Sequence, residues 1–316
     1  MNAGDAEPER VLITGASSGI GLATAIEFGT RGADVALLAR SANGLERGAE
    51  KVRAAGGNPL VSEADVTDRV GLEAAIERAA ATFGGLDAVV VNAGAAAFGR
   101  FTETGTEDFD RTLAVTLRGA VQTIRLVLPH LERSGGSLVV VGSVADTIPL
   151  PLMAAYTAAK HGLRGFVDAL GIELRSQGSS ISLALVSPGP VDTPFWDNVA
   201  TQEGHLPPRI PGAYRPEEVA VAIVRCVERR RSAGVTVGGA IVVIRALHSL
   251  LNPISERVLA RIARWAGSAG APGPGGRAIH GPAGDGVLRT GLGGRPSLTL
   301  RGLSAVGDAP GMLLRR

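Results

Sequence analysis

Short, wholly apolar runs alternate along this chain with longer stretches that carry an apolar stripe. The runs at residues 11–14, 35–39, 59–61, 88–91, 138–141, 181–186 and 240–244 predict seven strands. The stretches at 20–30, 45–55, 70–82, 109–131, 154–176 and 216–230 are amphipathic or alanine-rich and long enough for crossover helices. A strand that is apolar throughout must be covered on both faces, as in a parallel sheet between two helical layers. The expectation is a doubly wound α/β Rossmann fold: a seven-stranded, mostly parallel sheet with helices on both faces. Pro216 followed by Glu217 and Glu218 adds a helix-start signal, a proline in the first turn and acid at the positive end of the dipole.

The periodicity stops after Ala266. The last 50 residues hold 14 of the 44 glycines and six arginines against Asp285 and Asp308. A stretch this poor in apolar residues does not offset its ordering entropy, so residues 267–316 are expected to be a disordered tail. Residues 1–9 read as a flexible N-terminus and 10–266 as a single catalytic domain ending in a helix. The net charge of +2 comes from the tail, because the first 266 residues carry 26 cations and 28 anions.

Composition narrows the function further. The single cysteine, Cys226, excludes an intramolecular disulfide, and no Cys/His cluster has metal-ligand spacing. Residues 1–9 lack an apolar signal core, and no run approaches the length that spans a bilayer, so a cytoplasmic protein without stable membrane insertion is expected. The tail arginines lack density and interleaved aromatics, which argues against nucleic acid as a partner. The five histidines are scattered and read as structural or solvated. Residues 252–265 form a basic amphipathic pattern that suits packing on the body better than contact with anionic lipid or another subunit. Residues 197–214, entered by Phe195 and Trp196, have the composition of a substrate-covering loop and equally of a plain surface loop.

Candidate chemistry begins at the first strand. It runs into Gly15-Ala-Ser17-Ser18-Gly19-Ile20-Gly21 and then a helix, the arrangement in which backbone amides and the helix dipole meet a pyrophosphate. The acid that would accept the adenosine 2′-hydroxyl of NAD is absent where the second strand ends. Arg40 and Ser41 stand there instead, a guanidinium and a hydroxyl suited to a 2′-phosphate, so NADP(H) is the expected cofactor.

Tyr156 and Lys160 lie four apart, on one face of a helix. A cation about 4 Å from the phenol, at an effective dielectric of ~20, lowers its pKa by roughly three units. This expectation makes the pair an acid-base device. Lys160 is one of only two lysines beside 30 arginines. Ser143 follows the strand 138–141 at the sheet edge where such folds bind ligands.

Taken together, Thr14-Gly-x-x-x-Gly-x-Gly21, Asp65-Val66, Asn92-Ala93-Gly94, Ser143, Tyr156-x-x-x-Lys160 and Pro188-Gly189-Pro-Val191-Asp-Thr193 resemble the short-chain dehydrogenase/reductase family, of the NADP-preferring type, over about residues 10–239. The resemblance implies that Asp65 contacts the adenine region and that Asn92 and Gly94, with Val66 and Ala93, line the cofactor site. It places Val191 and Thr193, with Pro188 and Gly189, at the nicotinamide end. It further implies reversible hydride transfer to a ketone or aldehyde, or from a secondary alcohol, on a small and fairly apolar substrate, within a homodimer or homotetramer. Tyr156 would act as general acid or base, Lys160 would lower its pKa and bind the nicotinamide ribose, and Ser143 would orient the carbonyl. One position departs from the pattern: Thr116 stands where the family has a water-holding asparagine. Its hydroxyl is expected to hold that water less completely, slowing the reaction without abolishing it. The competing reading is a catalytically weakened NADP-binding scaffold or regulator of the same fold.

Overall fold

In a computed structural model, residues 9–201, 207, 212–250, 256–261, 264, 278–281 and 286–290 are described. Seven parallel strands form one sheet: β1 (Arg10–Thr14), β2 (Asp34–Ala39), β3 (Asn58–Glu63), β4 (Ala88–Val91), β6 (Ser137–Val141), β7 (Ser182–Pro188) and β9 (Gly234–Val237). Their spatial order is β3-β2-β1-β4-β6-β7-β9. The order reverses between β1 and β4, which opens a crevice at the carboxyl ends of these strands.

The period-2 alternation of side chains builds two cores. Val11, Ile13, Val35 and Leu37 point to the face that also holds Val219 and Ile223. That layer contains α1 (Gly19–Gly29), α2 (Ala42–Ala55) and α7 (Pro216–Glu228). Leu12, Ala36 and Leu38 point the other way, toward Leu72, Ile76, Ile124 and Leu163. That second layer is α3 (Arg69–Phe83), α4 (Thr106–Leu113), α5 (Ala120–Ser134) and α6 (Ala154–Ser176). At the start of α7 the Arg215 amide donates to the Glu218 carboxylate at 2.8 Å, and the Glu218 amide donates to the Arg215 carbonyl at 3.0 Å.

Three features depart from the sequence expectations. The last strand is Gly234–Val237, and residues 240–244 belong instead to α8 (Gly239–Leu250). The β-branched Val235-Thr236-Val237 triplet pairs with β7, and Gly238 at φ +119 turns the chain before the helix begins. A pair of two-residue strands, β5 (Ala97–Phe98) and β8 (Ala200–Thr201), lies outside the main sheet. The helix expected over 109–131 is broken by a π-helical segment, Ala114–Gly119, between α4 and α5. An inserted residue of this kind changes which side chains face inward, and it often marks a functional site.

Of the stretch expected to lack structure, residues 278–281 and 286–290 are packed on the domain, and Ile279 is 3% exposed. Composition omits what the body offers such a stretch: amides and guanidinium groups that donate to its carbonyls. The remainder of 267–316 and residues 1–8 lie outside the described residues. Within the amphipathic 252–265 stretch, residues 256–261 and 264 are described and helical.

Candidate active site

The crevice widens into a cavity of about 540 Å³ that runs from the glycine loop past Arg40 and Asp65 to Ser143, Tyr156 and Lys160. The loop is held open by glycine. Gly15 and Gly19 have φ of +69° and +53°, and a Cβ at Gly21 would stand 2.6 Å from Asn92 Nδ2 and sterically overlap the Gly15 carbonyl. Asn92 locks the loop from β4, its Nδ2 donating to the Thr14 carbonyl at 3.0 Å and the Gly15 carbonyl at 3.2 Å. Thr14 Oγ1 accepts in return from the Asn92 and Ala93 amides. Ser17, Ser18, Ile20, Val66, Gly94, Pro188, Gly189, Val191 and Thr193 all line the same cavity, so every expected cofactor contact except Ser41 and Gly21 borders it. Ser41 caps α2 by accepting from the Gly44 amide at 3.1 Å, and Gly21 lies within the first turn of α1.

At the Arg40 end of the cavity two guanidinium groups converge. Arg40 Nη1 and Arg111 Nε reach the Ile279 carbonyl at 3.1 and 3.3 Å. Burial, followed by the charge of Arg111, lowers the Arg40 pKa, and Asp65 opposes this from 3.9 Å. Asp65 is itself bonded to Arg111 at 2.5 Å. Burial pushes the Asp65 carboxyl up, but bonds from Arg111 and Thr67 outweigh it and hold the group below the usual carboxylate range.

At the other end α6 presents Tyr156 and Lys160 from successive turns, and β6 delivers Ser143. Ser143 Oγ accepts from the Ala145 amide at 3.1 Å and is hydrogen-bonded to the Tyr156 hydroxyl. Lys160 Nζ donates to the Val141 carbonyl at 2.7 Å and lies 5.8 Å from the Tyr156 ring centroid. The expected lowering of the phenol pKa by Lys160 is not what this arrangement gives. Burial, with a smaller contribution from the charge of Asp146, pushes Tyr156 up to about 12, only partly opposed by Ser143. Desolvating a phenolate outweighs a cation whose nitrogen is turned toward a backbone carbonyl. Burial likewise lowers Lys160 to about 8.

Thr116 also departs from expectation. The π-helical segment aims its fully buried hydroxyl at β4's exit loop, where it donates to the Ala95 carbonyl at 2.8 Å and accepts from the Ala95 amide at 2.9 Å. Its proton is therefore engaged by backbone rather than by a water. Thr116→Val, which keeps the shape but leaves both Ala95 groups unpaired, is expected to lower stability by about 1–3 kcal/mol. Thermal melting checks this, with the pH profile of the enzyme unchanged.

Sequence reasoning missed Asp146. Its carboxylate, 1% exposed, receives Arg245 Nη2 at 2.6 Å and Arg164 Nη1 at 3.5 Å. It also accepts from the Ser187 hydroxyl and from the Ser143 amide. The signal was present as Ser143-x-x-Asp146, the spacing of a capping box. Asp146→Ala would strand a largely buried guanidinium, and it is expected to destabilise the fold by about 3–5 kcal/mol in denaturant titration.

The surroundings of Tyr156 are apolar. Phe98, Met153 and Val199 cluster with the Tyr156 ring, and Phe195 packs on that ring at 5.6 Å between centroids. Trp196 is pinned by its Nε1 donating to the Val191 carbonyl at 3.0 Å. Beyond it, residues 202–206 and 208–211 of the expected covering loop lie outside the described residues.

A doubly wound sheet with a glycine-cradled crevice, and a serine, tyrosine and lysine at its far end, defines a nucleotide-binding oxidoreductase site. Residues 9–204 match the family described as short chain dehydrogenase, and the chain belongs to that family. It is 36% identical over 239 residues to the probable oxidoreductase EphD of Mycobacterium tuberculosis, covering 70% of this chain but 40% of that protein. It is 30% identical over 258 residues to the uncharacterized oxidoreductase YxnA of Bacillus subtilis, covering 80% of this chain and 71% of that one. Among solved structures it resembles an alcohol dehydrogenase of the archaeon Thermococcus sibiricus complexed with 5-hydroxy-NADP. That match has a TM-score of 0.65 and 30% identity, and covers 73% of this chain and 96% of the other. A short-chain dehydrogenase/reductase of Burkholderia phymatum in complex with NAD has a TM-score of 0.70 at 23% identity, covers 78% of this chain and 95% of the other, and supports the fold. Among the described residues no helix is long and apolar enough to cross a membrane, and no group of three His, Cys, Asp or Glu side chains is placed to hold a metal ion.

Proposed function

We propose that the protein is an NADP(H)-dependent reductase of apolar ketones or aldehydes, with Tyr156 as the proton donor. The observation that carries this reading is the hydrogen-bonded Ser143–Tyr156 pair, with Lys160 one turn away, at the end of the same cavity that begins at the glycine loop. The nicotinamide, when bound, supplies the hydride. The chain's own residues do the rest. Ser143 and Tyr156 present hydroxyls to one carbonyl oxygen, and Tyr156 releases its proton to that oxygen as negative charge builds on it. Lys160 stands behind the phenol as a buried cation. The surrounding Phe98, Met153 and Phe195 exclude water, which strengthens these polar contacts.

A phenol pushed up to about 12 is protonated throughout the working range, the state from which it can give a proton to a carbonyl oxygen. Lys160 sets the alkaline limit. Its pKa is lowered, so the cation is present below about pH 8 and lost above it, more than two units earlier than for a free lysine. The profile of kcat/KM, which reports the free enzyme, is expected to fall above about pH 8 in the reductive direction.

The cofactor preference rests on Arg40 and Arg111. Two guanidinium groups at one end of a groove favour a ligand with an additional phosphate over one with a ribose hydroxyl. Arg40→Ala is expected to reduce the ratio of NADPH to NADH affinity by roughly 10–100-fold, the loss of one charge-assisted contact. Parallel fluorescence titrations with the two nucleotides measure that ratio, and an unchanged ratio would remove Arg40 from the account.

A further inference from the structure

The two packed pieces of the C-terminal stretch lie on the cofactor groove itself. Ile279 lines the cavity beside Ala64, Asp65 and Val66, where the adenine end is read, and its side chain joins the apolar cluster on that face. Its carbonyl is the acceptor that Arg40 and Arg111 share. His280 pairs with Asp108 of α4 at 2.8 Å and holds this piece down.

The second piece crosses the glycine loop. The Gly286 amide donates to the Ser17 carbonyl at 3.1 Å, and the Gly19 amide at the start of α1 donates to the Val287 carbonyl at 3.0 Å. Lys51 of α2 donates to the Gly286 carbonyl. Arg289 then bridges to Glu217 of α7, with Nε 3.1 Å from both carboxylate oxygens. Thr290 ends the crossing by donating from its hydroxyl to Asp192 at 2.7 Å, between Val191 and Thr193. These contacts run from the adenosine end of the groove, over the phosphate loop, to the nicotinamide end.

The donors engaged are the ones an anionic dinucleotide needs. A peptide carbonyl and a phosphate oxygen are both acceptors, and a backbone amide at a helix N-terminus satisfies either one. We propose that the groove is also a peptide-binding site, occupied by residues 278–281 and 286–290 of the same chain, and that this strap and the dinucleotide exclude one another. The proposal rests on the nucleotide reading above. Bound strap removes part of the population from the competent state, so the measured affinity is the intrinsic one reduced by the fraction that is free. By reciprocity, bound dinucleotide must expel the strap.

Two measurements on the full chain test this. The first is NADPH titration of wild type, of a Gly286→Val variant, of Arg289→Glu, and of Arg289→Glu combined with Glu217→Arg. Gly286 has φ +69° and a Cβ there would meet Arg47 Cβ at 2.7 Å, so valine cannot stay docked. Gly286→Val is expected to bind NADPH about ten-fold tighter. Arg289→Glu should bind it several-fold tighter, and the charge swap should return toward wild type. The second is tryptic cleavage at Arg289 in wild type. NADPH, which spans both ends of the groove, is expected to accelerate cleavage. Unchanged or weaker NADPH binding in the variants would overturn the strap as a competitor, as would nucleotide that protects Arg289. Failure of every form to bind either nucleotide would overturn the cofactor reading and the strap with it, a result distinct from unchanged affinity.

Discussion

Tyr156→Phe is expected to bind NADPH as wild type does and to lose about 10²–10⁴-fold in the rate of carbonyl reduction. Among the described residues, the phenol is the one side chain hydrogen-bonded to Ser143 Oγ that also carries a transferable proton. Its removal leaves Ser143 to stabilise the developing alkoxide alone. The ring remains, so its 9% exposed packing in the Phe98–Met153–Val199 cluster and against Phe195 persists, and the fold should melt near the wild-type temperature. Rate and stability therefore separate cleanly in this variant. Single-turnover kinetics with saturating NADPH read the chemical step, and a rate within a few-fold of wild type would show that another group supplies the proton.

Gly21→Ala carries the second large effect. The methyl group would overlap the Gly15 carbonyl and stand 2.6 Å from Asn92 Nδ2. Both belong to the lattice of bonds among Thr14, Gly15 and Asn92 that shapes the phosphate loop. The loop must then shift as a unit, moving the Gly19 and Ile20 amides away from any pyrophosphate. Relief of such a backbone clash typically costs about 1–3 kcal/mol in stability. Nucleotide affinity should fall further, by two orders of magnitude or more, because it depends on several donors held in one geometry. Calorimetric titration with NADPH checks it, and affinity within five-fold of wild type would show that the loop tolerates the side chain.

How much of this was legible beforehand depends on the range of the interactions. The sheet and its two layers follow from apolar runs such as Val11-Leu12-Ile13 and Leu138-Val-Val-Val141, whose alternating side chains become the two cores. The glycine loop and the Tyr156/Lys160 pair are local in sequence, so spacing alone placed them on one loop and one helix face. The last strand was misplaced because Val235-Thr-Val237 and the apolar residues after Gly239 form one hydrophobic stretch, and only pairing with β7 decides which part is strand. Thr116 was misread because a π-helical insertion turns its hydroxyl onto Ala95, twenty-one residues away. The Arg245–Asp146 contact joins residues 99 apart, a distance at which spacing carries no information. The strap was illegible for a different reason. Its residues bury little on their own, and they are held by backbone acceptors meeting donors that exist only once the cofactor groove has formed.

The central claim is that hydride passes to a carbonyl carbon while Tyr156 supplies the proton. It is tested most directly by incubating the enzyme with NADPH deuterated at the transferable position and a panel of apolar ketones and aldehydes, with mass spectrometry of the alcohols formed. Wild type is expected to place one deuterium on the carbinol carbon of at least one product, and Tyr156→Phe to leave that product at background. Tight NADPH binding with no labelled alcohol from any carbonyl, or equal labelling by the variant, would contradict the account.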